Sequence, residues 1–334
     1  MSLAQTTFSE HQPIGVVIIG RNEGERLRNC LRSVMTEAVC MVYVDSGSTD
    51  NSLAIARDLG ADVIELDLTV PFTAARARNA GFKHLLTQAT HPDYIQFVDG
   101  DCEIQPGWLA SARLFLDQNA EFAIATGRRR ERFPAQSIFN QMCDEEWDTP
   151  TGEALACGGD AMIRVRALQA CGGYNDRLIA GEEPELCLRL RKSGWKIMRL
   201  DHEMTLHDAN ITRTSQWWRR TRRAGHAYAE GAWMHGKGPE QHYVRETARA
   251  LLWGLALPLV ILATAMISVW PAIALSLIYP VQVLRIALRD RHTSRHPWQH
   301  AFFLILGKFA EASGAIQFLW RKMLHRAPRL IEYK

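Results

Sequence analysis

The 334-residue chain has no C-x-x-C pair, no internal repeat and no low-complexity segment. Its seven cysteines (Cys30, Cys40, Cys102, Cys143, Cys157, Cys171 and Cys187) are scattered and odd in number. That pattern argues against a disulfide framework or a zinc site and for a reducing compartment. The first residues, MSLAQTTFSEHQPIG, lack a basic region followed by an apolar core. No signal peptide is therefore read, and the front of the chain is expected to stay in the cytoplasm.

Charge is present in both signs but unevenly distributed. Residues 1–210 carry 21 Lys+Arg against 30 Asp+Glu, whereas residues 211–334 carry 18 against 6. An acidic front joined to a basic, apolar back suggests two separate tasks. The back suits anionic lipid headgroups or a phosphate-bearing acceptor. Its basic residues flank long apolar runs, which favours membrane lipids over nucleic acid as a partner.

The front alternates strand and helix signals. Ile14 to Ile19 is a continuous apolar run of strand length, as expected for a strand buried on both faces. A helical pattern over Glu23–Met35 leads to a second run, Cys40–Val44, which ends in Asp45-Ser46-Gly47-Ser48-Thr49-Asp50. A helix over 51–59, a strand over Ala61–Leu66, a helix at about 73–88 and a strand over Tyr94–Val98 follow. Such alternation with short loops predicts an α/β fold with a parallel sheet.

Ligands of an open parallel sheet bind beyond the carboxyl ends of the strands. Asp45 closes one strand, and Asp99 and Asp101 close another, spaced so that both carboxylates can converge on one cation. Oxygen ligands of this kind suit Mg²⁺ or Mn²⁺ together with substrate phosphates; an ordinary turn after a strand explains Asp-Gly-Asp equally well. A third acidic cluster, Gly181-Glu182-Glu183-Pro184-Glu185, opens a helix with Pro184 in its first turn. It reads either as decoration of the helix dipole or as the seat of a general base.

Five strings occur in order across residues 16–195: VVIIGRNEGERL, VDSGSTDNS, ARNAGF, FVDGDCEIQPGWL and GEEPELCLRLRKSGW. Together they resemble the family 2 glycosyltransferases, and the resemblance implies a GT-A-type, Rossmann-like, mostly parallel sheet flanked by helices. It further implies that Arg21, Asn22 and Glu23 contact the nucleotide of a nucleotide-sugar donor, with Asp45 (and its neighbour Ser46) on the base. Arg78 would help hold base or diphosphate, and Asn79 would shape that loop. Asp99 would lie near the ribose or donor sugar, or beside the metal, and Asp101 on the divalent metal. Glu183, or Glu182 in its place, matches the family's catalytic base. His207 is a further candidate metal ligand and Asp160 a candidate donor or acceptor contact. Two departures stand out: Ser46 replaces a frequent second acid, and the string Glu182-Glu183-Pro184-Glu185-Leu186 replaces E-D-x-D-L.

The chain changes character near residue 211. Gln216-Trp217-Trp218-Arg219-Arg220 resembles the Q-x-x-R-W motif of membrane polysaccharide synthases, with Arg in place of the final Trp. That resemblance implies acceptor or phosphate contacts; an interfacial helix meeting lipid headgroups is the alternative. Leu251–Leu288 contains no charge but Arg285 and is interrupted at Trp270-Pro271. Each half approaches the ~20 residues that span a bilayer. Arg245 and Arg249 before the pair and Arg289, Arg291 and Arg295 after it predict a hairpin with both ends cytoplasmic. The segment 298–320, with Lys308 and Glu311, reads as an interfacial amphipathic helix rather than a third span.

The layout expected is a nucleotide-sugar-binding catalytic domain over 1–210 and basic, aromatic interfacial helices over 211–249. A transmembrane hairpin over 250–289 and an amphipathic helix with a basic tail over 290–334 complete it. The activity expected is an inverting, metal-dependent transfer from a nucleotide-diphosphate sugar, UDP-sugar first. The acceptor would be lipid-linked or membrane-proximal, at the inner (plasma) membrane with the catalytic domain cytoplasmic. A sugar nucleotidyltransferase is one rival, but no glycine-rich, Arg/Lys-bearing N-terminal loop is present for a triphosphate. A non-catalytic, membrane-bound nucleotide-sugar-binding protein is the other.

Overall fold

A computed structural model describes residues 14–35, 40–88 and 91–324. The basic tail expected after 324 and the N-terminal 13 residues lie outside the described residues. The chain divides into two compact units. The first comprises residues 1–129, 149–175 and 186–207; the second comprises 130–148, 176–185 and 208–334.

In chain order the first elements are β1 (Ile14–Gly20), α1 (Glu25–Val34), β2 (Cys40–Asp45), α2 (Ser52–Asp58) and β3 (Asp62–Glu65). Then come α3 (Ala74–Leu85), β4 (Tyr94–Asp99), β5 (Cys102–Ile104), α4 (Trp108–Gln118) and β6 (Phe122–Glu131). They are followed by α5 (Ile138–Glu146), β7 (Gly152–Glu153), β8 (Ala161–Arg164), α6 (Val165–Ala170), α7 (Glu182–Lys192) and β9 (Lys196–His207).

The sheet runs β3-β2-β1-β4-β8-β6-β9-β5, with β7 paired to β9. Pairs β2–β3, β1–β2 and β1–β4 are parallel; β4–β8, β6–β8 and β5–β9 are antiparallel. The expected parallel α/β half is thus present, extended by an antiparallel flank. Alternation along β1 sends Val16 and Ile18 to one core and Val17 and Ile19 to the other. Leu27, Leu31 and Trp108 belong to the first core, and Phe82, Leu85, Leu186 and Leu190 to the second. Helices on both faces explain why the strand reads as an unbroken apolar run. Gly81 allows α3 its close approach, since a Cβ there would fall 2.4 Å from Val17 Cγ1.

The second unit is largely helical: α8 (Thr214–His235), α9 (Val244–Leu251), α10 (Leu257–Ile267), α11 (Val269–Ser276), α12 (Ile278–Arg289) and α13 (Pro297–Met323). A π-turn over Leu252–Ala256 joins α9 to α10 just before Pro258, whose ring and missing N–H disturb the regular ladder. The sequence break expected at Trp270-Pro271 falls at Ser268, which is extended (φ −156°, ψ 131°). Pro271 is tolerated inside the first turn of α11, where its N–H would lack a helical partner anyway.

Among the described residues, three stretches are long and apolar enough to cross a membrane: Val244–Ile267, Val269–Arg289 and Pro297–Met323. Only 6% and 17% of the first two are buried within the protein, against 44% of the third. Met266, Ile267 and Trp270 stand among the outward-facing side chains. A helical pair buried inside a soluble protein would cover such residues. The third stretch packs on α8 with the backbones nearly touching. A Cβ on Gly225 would lie 2.0 Å from the Glu311 carbonyl oxygen, and one on Gly314 2.0 Å from that of Arg222.

Candidate active site

Strands β2, β1 and β4 end level with one another. Asp45 pairs in register with Gly20, and Asp99 with Ile19, so both acids stand at the carboxyl edge on either side of β1. The loops there are stitched together. Asn22, at a left-handed φ of 57°, donates its N–H to Ser48 Oγ (2.8 Å) and accepts from the Thr49 N–H (2.7 Å). Glu23 N donates to Ser52 Oγ (3.1 Å), and the Glu23 carboxylate faces Arg26 at 2.8 Å. Arg21 lies over the Phe72 ring, 4.9 Å from its centre.

Asp45 is buried and turned into its own loop. Its Oδ2 accepts from the backbone of Gly47 (2.9 Å) and Ser48 (2.7 Å), and its Oδ1 from the Tyr43 hydroxyl (2.9 Å). Ser46, also buried, donates its N–H to the Gly20 carbonyl at 3.0 Å. Burial, reinforced by Asp45, pushes the Tyr43 phenol well above its ordinary value. The acid thus shapes the turn that follows β2, which is a structural task beside the expected base contact.

Asp99 sits between two arginines. Arg78 Nη2 lies 3.0 Å from Asp99 Oδ1, and Arg129 Nη2 lies 3.4 Å from Asp99 Oδ2. Arg129 Nε also approaches Asp160 Oδ2 at 3.5 Å. Asp160, fully buried, accepts the Asp99 N–H (3.1 Å) and the Thr205 hydroxyl (2.8 Å). Asn79 makes two bonds to the Tyr174 backbone, donating to its carbonyl (2.8 Å) and accepting from its N–H (2.9 Å). Its side chain therefore anchors the loop at Gly173-Tyr174.

Among the described residues, two mixed clusters have metal-ligand chemistry: Asp101, Cys102 and His207, and Asp99, Cys102 and Asp160. The Arg129 guanidinium occupies the middle of the second, close to Asp99, Asp160 and Cys102 Sγ (3.5 Å). A cation already neutralises that group, so a metal fits the first cluster better. There His207 Nε2 lies 3.4 Å from Asp101 Oδ2, and both side chains are buried. A carboxylate and an imidazole at this separation suit a divalent ion.

Glu182 and Glu183 stand in the first turn of α7, Glu182 buried and Glu183 half-buried. Glu185, one position past Pro184, is buried and faces His235 Nε2 at 3.1 Å.

The Gln216–Arg220 stretch is largely taken up by capping, packing and pairing within the helical unit. Gln216 Oε1 accepts from the Thr212 and Arg213 N–H groups, which makes it a capping residue of α8. Trp217 is core, stacked on Phe139 at 5.6 Å and edge-on to Phe303 at 5.1 Å; Trp218 packs beside it. Arg220 holds Glu146 through two bonds of 3.0 and 3.1 Å. Arg219 is the exposed member and bonds back to the Ser215 carbonyl. Arg219 is the member of the stretch that remains open to a phosphate or a lipid headgroup.

Sequence reasoning missed Arg129 and Cys102. Arg129 lies in the run Arg128-Arg129-Arg130 on β6, where alternation alone would have set it apart from its neighbours. A cavity of about 560 Å³ opens at the other end of β4, beside Tyr94, Arg164 and Arg166. Arg164 already donates to the Phe122 and Leu116 carbonyls and to the Tyr94 hydroxyl, and Arg166 to the Ala120 carbonyl. That cavity lies beyond the amino end of the strand, away from the acidic loops.

Residues 15–169, the α/β segment, match the glycosyl transferase family 2 profile. The chain is 26% identical over 172 residues to the succinoglycan biosynthesis protein ExoA of Rhizobium meliloti (48% of this chain, 51% of that one). It is 22% identical over 200 residues to a beta-monoglucosyldiacylglycerol synthase of a Nostoc species (57% and 42%). The chain thus spans about half the length of these curated relatives, or less. Among solved structures it resembles the mannosyltransferase PcManGT of Pyrobaculum calidifontis, held with GDP-Man and Mn²⁺. There the TM-score is 0.63 at 19% identity, covering 94% of this chain and 89% of that one. S. aureus TarS 1–349 follows with a TM-score of 0.50 at 15% identity, covering 93% and 92%. These likenesses establish the GT-A fold.

Proposed function

We propose that the protein is a membrane-associated glycosyltransferase that moves a sugar, with inversion, from a nucleotide-diphosphate donor to a lipid-linked or membrane-proximal acceptor. The observation that carries this reading is the carboxyl-edge cluster. Asp101 and His207 are paired for a divalent ion beside Asp99, which is gripped by Arg78 and Arg129. The relative solved with GDP-Man and Mn²⁺ and those named for polysaccharide and glycolipid synthesis favour the same class.

Asp101 and His207 would hold Mg²⁺ or Mn²⁺, which supplies charge neutralisation for a leaving nucleoside diphosphate. Arg78 and Arg129 present guanidinium donors to a diphosphate, while Asp99 orients them and faces the ribose or donor sugar. The loops around Arg21, Asn22, Glu23, Asp45 and Ser46 border the nucleotide. Glu183, half-buried where Glu182 is fully covered, takes the proton from an acceptor hydroxyl onto its carboxylate. The acceptor oxygen then forms its bond to the anomeric carbon as the bond to the diphosphate breaks.

The layout we favour keeps residues 1–210 as the catalytic part and 250–289 as a membrane hairpin at the plasma membrane, the catalytic part on its cytoplasmic side. Arginines flanking the hairpin at 245, 249, 289, 291 and 295 support that orientation. Helix α13 lies along α8, whose Arg219, Arg220, Arg222 and Arg223 belong at a headgroup level rather than in hydrocarbon. That supports an interfacial place for α13.

The deciding experiment is a donor screen. Full-length protein in detergent, with Mg²⁺ or Mn²⁺ and a lipid extract as acceptor source, should release nucleoside diphosphate from one nucleotide sugar. Release of pyrophosphate from a triphosphate and sugar phosphate would reveal a nucleotidyltransferase. Binding of nucleotide sugar with no turnover on any acceptor would leave a non-catalytic binding protein.

A further inference from the structure

The sequence F-V-D-G-D-C places a cysteine directly after the second acid of the Asp-Gly-Asp turn. In most positions a buried cysteine is only a small apolar filler. Here the sheet gives it specific company. Cys102 opens β5 and pairs in antiparallel register with His207, the last residue of β9. Directly opposed residues on neighbouring strands project to the same face, so thiol and imidazole stand side by side over Asp101.

The three side chains lie close enough together to share one ion. Cys102 Sγ lies 3.7 Å from Asp101 Oδ1, and His207 Nε2 lies 3.4 Å from Asp101 Oδ2. One ligand atom from each of the three residues falls within 4.8 Å of the others. Around a tetrahedral ion with sulfur at about 2.3 Å and oxygen or nitrogen at about 2.0–2.1 Å, adjacent ligand atoms stand roughly 3.3–3.6 Å apart. All three side chains are buried, so water competes poorly for the positions.

We propose that Asp101, Cys102 and His207 form a three-ligand seat for a thiophilic divalent cation of the Zn²⁺ class, which competes with the hard ion used in transfer. The proposal rests on the reading of Asp101 and His207 as the metal pair. A hard ion uses the carboxylate and the imidazole and leaves the thiol protonated. A softer ion also bonds the sulfur, and the thiol proton passes to solvent. Zinc-class ions therefore bind more tightly than Mg²⁺ or Mn²⁺ and block turnover until a chelator removes them.

Cobalt(II) tests this on the full-length protein in detergent, because a thiolate ligand gives a near-ultraviolet charge-transfer band that oxygen and nitrogen ligands do not. The band should appear as Co²⁺ is added, disappear when Zn²⁺ displaces it, and be absent from Cys102→Ser. Zinc affinity should fall at least about tenfold in that variant. Mn²⁺ affinity, read by electron paramagnetic resonance, should change less than about threefold. Cys102→Ala serves if the serine variant folds poorly. Mn²⁺ binding without a cobalt–thiolate band in the native protein would overturn the role of Cys102 alone. So would a band that persists in Cys102→Ser, which would locate the ligand at other thiols such as Cys157 and Cys187, whose sulfurs lie 3.6 Å apart. Failure of the native protein to bind either ion would overturn the metal reading of Asp101 and His207 itself.

Discussion

Arg78 and Asp99 form a lopsided pair: the guanidinium reaches the carboxylate at 3.0 Å, yet the arginine side chain is 3% exposed and the aspartate 28%. A buried cation held by a half-open anion is poised to exchange part of its partner for an incoming phosphate. Arg78→Ala should therefore raise the donor KM at least about tenfold with a smaller effect on kcat. Arg78→Lys should recover only part of the loss, because it lacks the planar fork. An unchanged KM in Arg78→Ala would remove this residue from donor binding.

The base assignment separates two adjacent acids. Glu183→Gln should lower kcat by at least about 100-fold while nucleotide-sugar binding, measured by calorimetry, survives. Glu182→Gln should leave kcat within about tenfold of native and act mainly on thermal stability, since that side chain is buried. The reverse pattern would move the role to Glu182.

Helix contact in the second unit depends on the absence of side chains. Gly314→Leu should cost about 3 kcal/mol or more, because the new atoms meet the Arg222 carbonyl. Gly60→Ala, at a φ of 76° with nothing within 4 Å of the added carbon, should cost only about 1 kcal/mol. Thermal denaturation in detergent reads both, and equal shifts would refute the close-contact argument.

Stability should depend on pH through a buried pair on α8. His226 Nδ1 and Glu230 Oε2 lie 3.6 Å apart. Burial lifts Glu230 from 4.5 to about 7, against the opposing pull of Lys322. Burial, with Arg321, Arg223 and Arg222, lowers His226 from 6.5 to about 4. Between about 4.5 and 7 the native state keeps the Glu230 proton that the unfolded chain has lost, so this group costs stability as pH rises. Between about 6.5 and 4 the unfolded chain gains the His226 proton first, so that group costs stability as pH falls. Glu230→Gln should then raise the Tm at pH 8, by an effect on the order of 1–2 kcal/mol, and have little effect near pH 4.5. A Tm gain of the same size at both values would refute the titration and leave only a packing effect.

The strands and the acids that close them were legible because each rests on a local rule. A run buried on both faces is continuously apolar, and a ligand loop follows its carboxyl end. Asp101 and His207 were named from sequence, yet nothing local could show that strands 100 residues apart set them side by side. Arg129 was hidden for the same reason: its partners Asp99 and Asp160 come from other strands. Trp217 shows the converse limit of local reading. An aromatic pair beside arginines looks like an exposed binding face, but the ring of Phe139 from a distant helix covers it. Short-range patterns predict elements; who faces whom is settled by strand order.

Only Gly100 and Asp101 separate the end of β4 from the start of β5. So short a link leaves no slack between the arginine-held carboxylate and the three-residue seat beyond it. Inserting one residue would turn the thiol away from the imidazole, whereas exchanging the residue at 102 would alter the preferred ion while Arg78 keeps its hold on Asp99. If the proposed roles hold, ion choice and sugar-nucleotide choice are separable by point substitution.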